Sequence, residues 1–153
     1  GLAIGGRYSL SGPGESTGFI VGGELAAGSY AYAGGGGYTT YGFRLLGGYG
    51  WAFSDRWSLD ALVDAGVGAG NLELTGKSAF DHYAASGLYY SYAARLGVQF
   101  AATESLHLDA EVGYRAENSS LAAGGTTISL VGAGLCAGVG LSYRFSNSPS
   151  TLE

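Results

Sequence analysis

The stretch LHLDAEVGYR, residues 106–115, alternates with a period of two. Leu106, Leu108, Ala110, Val112 and Tyr114 fall on one face, and His107, Asp109, Glu111, Gly113 and Arg115 on the other. That spacing marks a β-strand with one apolar and one polar side. Period alone does not say which side faces the protein's interior. In a water-soluble protein the leucines turn inward; in a membrane barrel they face lipid and the charges line the lumen.

Composition favours the second arrangement. At 153 residues the chain is one domain with room for a core. Charged residues make up only 12%, about half the usual quarter. Lys77 is the single lysine, so the chain cannot coat a solvent-facing sheet in the ordinary way. Thirty glycines interrupt every candidate helix, and no apolar run approaches the ~20 residues of a spanning helix. A net charge of −5 argues against nucleic acid as a partner, because phosphate neutralisation needs clustered Lys and Arg. The lone Cys136 has no partner for an internal disulfide.

Strand-period segments cover 1–10, 18–32, 38–53, 57–74, 84–101, 105–117 and 126–145. Between them lie SGPGEST, AGGGG, SDR, TGKSAFDH, ATES and SSLAAGG, all turn chemistry. SDR and ATES are tight, whereas the other connections are longer and rich in Gly, Ser and Ala. Short turns on one rim and longer loops on the other are the layout of an outer-membrane barrel. Residues 11–17, 29–37, 75–83 and 118–125 are therefore expected on one rim, with SDR and ATES opposite. Residues 1–145 form the barrel and 146–153 a flexible tail.

The two faces differ in kind. Strand positions on the polar face carry Arg7, Arg44, Arg95, Arg115 and Arg144 against Glu24, Asp60, Asp64, Asp109 and Glu111. Balanced charge with arginine as the sole cation fits an enclosed, paired network. Arg44 is expected to pair with Asp60 or Asp64, and Arg95 or Arg115 with Asp109 or Glu111. Most other positions on that face are glycine, which admits arginine stems into a narrow bore. Tyr49, Trp51, Phe53, Trp57, Phe100, Tyr143 and Phe145 gather at one rim as an interfacial girdle.

In GYGWAFSDRWSLDALVDAGVG, LGVQFAATESLHLDAEVGYR and the closing AGVGLSYRF, ending at Phe145, the chain resembles the small outer-membrane β-barrels of Gram-negative bacteria, of the opacity and attachment type. The resemblance covers nearly the whole chain and is architectural; it specifies no ligand. It implies an antiparallel up-and-down transmembrane barrel, monomeric, seated among outer-membrane lipids. Seven visible strands leave an odd number where such barrels have an even one. Either an eighth strand lies outside this sequence, or these residues close a larger barrel of the autotransporter kind.

Sites of chemistry are few. His82 with Ser78 and Asp81 has the residue types of a lipid A-modifying hydrolase, but no local motif of those enzymes accompanies them, and a triad is defined by geometry. Two distant histidines and one cysteine have no metal spacing, and GAGLCAGVG lacks the Lys-Ser/Thr of a phosphate loop. No cofactor, metal or catalytic residue is expected. Tyr30, Tyr32 and Tyr38, spaced by Gly and Ser, are the best candidates for loop contacts with a host or cell-surface ligand. The leading expectation is a non-enzymatic barrel with a charge-plugged lumen, serving adhesion, host interaction or envelope support. A narrow channel or translocator fragment comes second, and a lipid-modifying enzyme third.

Overall fold

The structure, a computed structural model, describes residues 1–10, 17–33, 35–75 and 82–143, with only the backbone at His82. Seven strands follow one another: β1 (Leu2–Ser9), β2 (Gly18–Ala31), β3 (Gly37–Ala52), β4 (Trp57–Thr75), β5 (His82–Ala101), β6 (Leu106–Ala123) and β7 (Thr126–Tyr143). They form one antiparallel sheet in chain order, and the described residues contain no helix. β1 and β7 are its two edges, so the sheet is not closed. Ion pairs from β1 to β4 and β6, and from β2 to β5, show that it curls strongly about one face.

Because neighbours alternate in direction, the connections alternate between two rims. The first rim holds residues 53–56, between β3 and β4, and 102–105, between β5 and β6. These two turns are built alike. The Ser54 hydroxyl accepts from Trp57 N at 3.1 Å, and the Thr103 hydroxyl from Leu106 N at 3.0 Å. Short side chains that satisfy a backbone donor three residues on stabilise such reversals.

The β1–β2 connection lies on this same first rim, not opposite it as the loop lengths suggested. Leu10 N donates to Phe19 O at 2.7 Å, and Ala52 N to the Thr17 hydroxyl at 3.0 Å, fixing both its ends beside the 53–56 turn. Residues 11–16 lie outside the described residues. Strand parity decides the rim, and loop length is no guide to it.

The second rim holds a further correction. SSLAAGG is not a loop: β6 runs to Ala123, which pairs with Thr126 across a two-residue turn. Gly124 and Gly125 have φ of +54° and +84°, the left-handed pair of a tight hairpin turn. The strand persists because Ser119, Leu121 and Ala123 continue its alternation, with Leu121 fully enclosed. Arg144, Phe145 and residues 146–153 lie outside the described residues.

Replacing Gly124 by Asn should leave stability nearly unchanged, since Asn tolerates this conformation. Gly125→Val should cost about 1–2 kcal/mol, the penalty for a side chain in the left-handed region. Urea unfolding of the two variants reads both.

Candidate functional site: the charged interior and its outer wall

The outward-facing side of the sheet carries an apolar band, seven alternate positions long in four of the strands and shorter in β2 and β6. In β3 and its turn it runs Tyr41, Phe43, Leu45, Gly47, Tyr49, Trp51, Phe53; in β4, Trp57, Leu59, Ala61, Val63, Ala65, Val67, Ala69. In β5 it is Leu88, Tyr90, Tyr92, Ala94, Leu96, Val98, Phe100, and in β7 it spans Val131 to Tyr143 at alternate positions. No described residue covers it: Val63 is 62% exposed, Val112 60% and Leu135 91%. Past the second-rim end of the band the same faces turn polar, at Ser29, Thr39, Asn71, Ser86, Asn118 and Ser129.

At the first-rim end stand the aromatics. Phe19 meets Tyr49 edge-on at 5.2 Å between centroids, Tyr49 lies 4.9 Å from Trp51, and Trp57 lies 4.8 Å from Phe100. Phe53 and Tyr143 are exposed on the same rim. Phe19 belongs to this set although loop reasoning overlooked it; its place next to the β1–β2 connection puts it here.

The inward side holds the charges. Arg95, on β5, has 4% side-chain exposure and is the centre of the network. Its Nε lies 2.9 Å from Asp64 Oδ2, its Nη1 2.9 Å from Glu111 Oε1 and its Nη2 3.3 Å from Glu24 Oε1. One guanidinium thus joins β2, β4 and β6. Arg7 reaches Glu24 at 3.6 Å, Asp60 at 3.8 Å and Glu111 at 3.4 Å, and Arg115 reaches Asp64 at 3.4 Å. Glycine makes room for these stems: a Cβ on Gly113 would sit 2.9 Å from Arg95 Cγ, and one on Gly66 2.7 Å from Arg44 Cγ.

Pairing differs in part from expectation. Arg95 does meet Glu111, but Arg115 meets Asp64 rather than Asp109 or Glu111. Residues four or six apart on one strand face are separated by about 13–20 Å, too far to bridge. Arg44 pairs in register with Gly66, two residues beyond Asp64, and forms no ion pair among the described residues. Asp109 lies over Gly140 and likewise has no ion pair among the described residues. Arg144 lies outside them.

Glu117 is the functional residue that sequence reasoning missed. It was set aside as a strand end, yet β6 carries it well inside, facing the interior. Its carboxylate accepts from the Tyr89 hydroxyl at 2.9 Å and from Tyr30 at 3.1 Å. Burial, and then the Glu117 charge, push the Tyr30 phenol up to about 12, so it stays a donor at physiological pH. Among the described residues the inward face carries four arginines, Arg7, Arg44, Arg95 and Arg115, against six carboxylates once Glu117 is counted.

Tyr30 and Tyr38 are accordingly not free loop contacts. Tyr30 stacks on Tyr38 at 6.0 Å, half-exposed, while Tyr38 is buried and hydrogen-bonded to Ser119. Tyr38, Leu72, Ala85 and Leu121 form an apolar cluster inside the second rim, with Tyr83, Ala123 and Leu130 packed on it. Of the three loop tyrosines, Tyr32 alone stands clear of these contacts, 42% exposed.

Little suggests reaction chemistry. Ser78, Asp81 and the side chain of His82 lie outside the described residues, and His107 is buried on the inward face near the first rim. Cys136 is a free thiol opposite Gly113 on β7. Among the described residues no group of His, Cys, Asp and Glu is arranged to hold a metal ion. No family model, no curated protein and no solved structure matches the chain.

Arg95→Ala would leave three carboxylates without their shared cation and should lower stability by about 3–5 kcal/mol, the cost of breaking a buried pair from one side. Arg44→Ala, with no ion pair to lose among the described residues, should cost clearly less. Urea titrations of the two variants compare them directly.

Proposed function

We propose that the chain is the wall of a transmembrane β-barrel of the bacterial outer membrane, eight-stranded when complete, non-enzymatic and plugged. The observation that carries this reading is the apolar band, seven positions long in β4, β5, β7 and β3 with its turn. Seven alternate positions span twelve residue steps, about 40 Å at ~3.3 Å per residue. With strands tilted ~35–45°, as in such barrels, that becomes about 28–32 Å of height. The hydrocarbon core of a bilayer is about 30 Å thick. A soluble sheet has no reason to end its outward apolar face at the same length in four strands.

The lumen reading follows from the inward face. Arg95 and Arg7 tie carboxylates together across the bore at mid-height, and the Tyr38–Leu72–Ala85–Leu121 cluster fills it at the second rim. Such a barrel conducts nothing steadily. Its work lies at the surface: the second rim faces the environment, with Tyr32 as a contact point for a host or cell-surface ligand. Outer-membrane lipids cover the band, and the protein acts as a monomer.

Val112→Arg places a charge on the lipid side near mid-band and should impair folding into bilayers by about 2–4 kcal/mol. The equivalent change at Asn71, flanked by Thr39 and Ser86 beyond the band, should cost little. Refolding yield into lipid vesicles distinguishes them, and equal tolerance at both sites overturns the membrane reading.

Protease applied to intact cells should cut at Lys77 and spare Arg56, since the two connections lie on opposite rims. Cleavage at Arg56 alone would invert the orientation. In planar bilayers the intact protein should show no steady current; a stable conductance would favour the channel reading.

A further inference from the structure

Glu117 stands outside the arginine network. Its two oxygens accept from Tyr89 at 2.9 Å and Tyr30 at 3.1 Å, and it forms no ion pair among the described residues. Tyr30 belongs to β2 and Glu117 to β6, so the Tyr30 bond crosses the second-rim mouth of the interior. Phenols donate hydrogen bonds but cancel no charge, and each carboxylate oxygen keeps acceptor capacity that a single phenol leaves unused. Glu117 is also approachable. It pairs in register with Gly132, where an added Cβ would meet no atom within 4 Å.

The surroundings select the sign of a ligand. Arg7, Arg95 and Arg115 are engaged with carboxylates deeper in the interior. Arg44 shares the row of Glu117 but stands three strands away, beyond Gly66 and Ser91. Four inward arginines against six carboxylates leave the described interior acidic. At the second rim, residues 28–33, 35–40, 70–75, 83–87 and 118–130 add Glu73 and contain no lysine or arginine. Aromatic rings line the approach. Tyr30 stacks one face on Tyr38 and is 48% exposed, with exposed Tyr32 two residues on. A cation is attracted to the face of such a ring.

Resting on the reading of the second rim as the contact surface, we infer that its ligand is a basic peptide segment of a protein partner. One lysine side chain of that segment enters the mouth, sets its ammonium beside Glu117 and lays its stem over Tyr30. Tyr38, Leu72, Ala85 and Leu121 fill the bore at this rim, so a slender stem with its charge at the tip is the shape that reaches the carboxylate. The ammonium brings N–H donors for the lone pairs that the phenols leave unused. A choline-type headgroup has the charge but no such donor.

The test refolds the 153-residue chain into octyl glucoside micelles and titrates it into acetyl-Gly-Lys-Gly-amide, or into the same peptide with norleucine in place of lysine. The expected result is a saturable upfield shift of the lysine methylene protons by the tyrosine rings, and none for norleucine. Glu117→Gln keeps the shape and a carbonyl acceptor but not the charge, and should weaken binding about tenfold or more. Tyr30→Phe keeps the ring face and should weaken it by no more than about threefold, whereas Tyr30→Leu should match the Glu117 variant. Near-ultraviolet circular dichroism checks that each variant folds; if Glu117→Gln does not, the two Tyr30 variants decide. No shift with the lysine peptide, an equal shift with norleucine, or full binding by Glu117→Gln or Tyr30→Leu overturns the inference. Choline chloride binding more tightly than the peptide overturns it in favour of a lipid headgroup. Micelles leave both rims open, so none of these outcomes depends on which rim faces the environment, and the protease experiment tests that separately.

Discussion

The guanidinium of Arg95, held by Asp64, Glu111 and Glu24, is the constraint on which the curvature of the sheet depends. Three carboxylates from β2, β4 and β6 converge on one cation from β5, which they can do only if the sheet bends through a large arc. A flat sheet would leave Glu24 three strands away, and Arg95 would keep only Asp64 and Glu111 from its two neighbouring strands. The curl that brings Glu24 in also encloses the guanidinium, so the added contact offsets the desolvation that the same bend imposes. Arg7 repeats the device from the edge strand, and the two arginines share Glu24 and Glu111. Glycine is the complement of this design. Gly113 leaves space for the Arg95 stem, where an added Cβ would collide with it.

Polarity along the interior is not uniform, and its change matches the change outside. Where the outer face is apolar, the inner face carries the charges. Beyond the second-rim end of the band the outer face turns to Ser, Thr and Asn, and the inner face turns to Tyr38, Leu72, Ala85 and Leu121. On the proposed membrane reading, the polar groups of the band region must be satisfied internally, and Leu46 and Leu62 are buried among them. Beyond the band the usual order of water returns and apolar side chains collect within. Glu117 sits next to this crossover, with Tyr30 and Tyr89 donating to it.

Much of this was legible in the chain. The two-residue period of LHLDAEVGYR, and of the segments around it, reveals seven strands and their faces. The charged interior is visible because every strand arginine shares a face with glycine. Pairing was not legible, because it depends on stagger between strands: Arg44 meets Gly66 rather than Asp64 through a shift of two residues. The impossibility of Arg115 pairing with Asp109 or Glu111 was within reach, since all three share one face of one strand. Leu121 carried a signal too. It falls on the opposite parity from Leu108 and Val112, which is how an inverted core announces itself, and Glu117 lies on that same parity four residues before it. The Gly-Gly dipeptide at 124–125 was read as part of a loop, although two glycines between alternating segments are the signature of a two-residue hairpin turn.

Strand parity carries the further consequence that the two rims are unequal in more than loop length. The first rim gathers the 53–56 and 102–105 turns, the β1–β2 connection and the aromatic contacts of Phe19, Tyr49, Trp51, Trp57 and Phe100. On the proposed membrane reading, rings at this level sit where an apolar body and a polar tip are both satisfied, and they resist vertical displacement of the sheet. The second rim has a different anchor, the apolar cluster and the Tyr38–Ser119 hydrogen bond. In that setting the charged layer between the two rims lies at the depth that lipid surrounds, where water cannot replace a lost partner and the shared contacts of Arg95 carry the most weight.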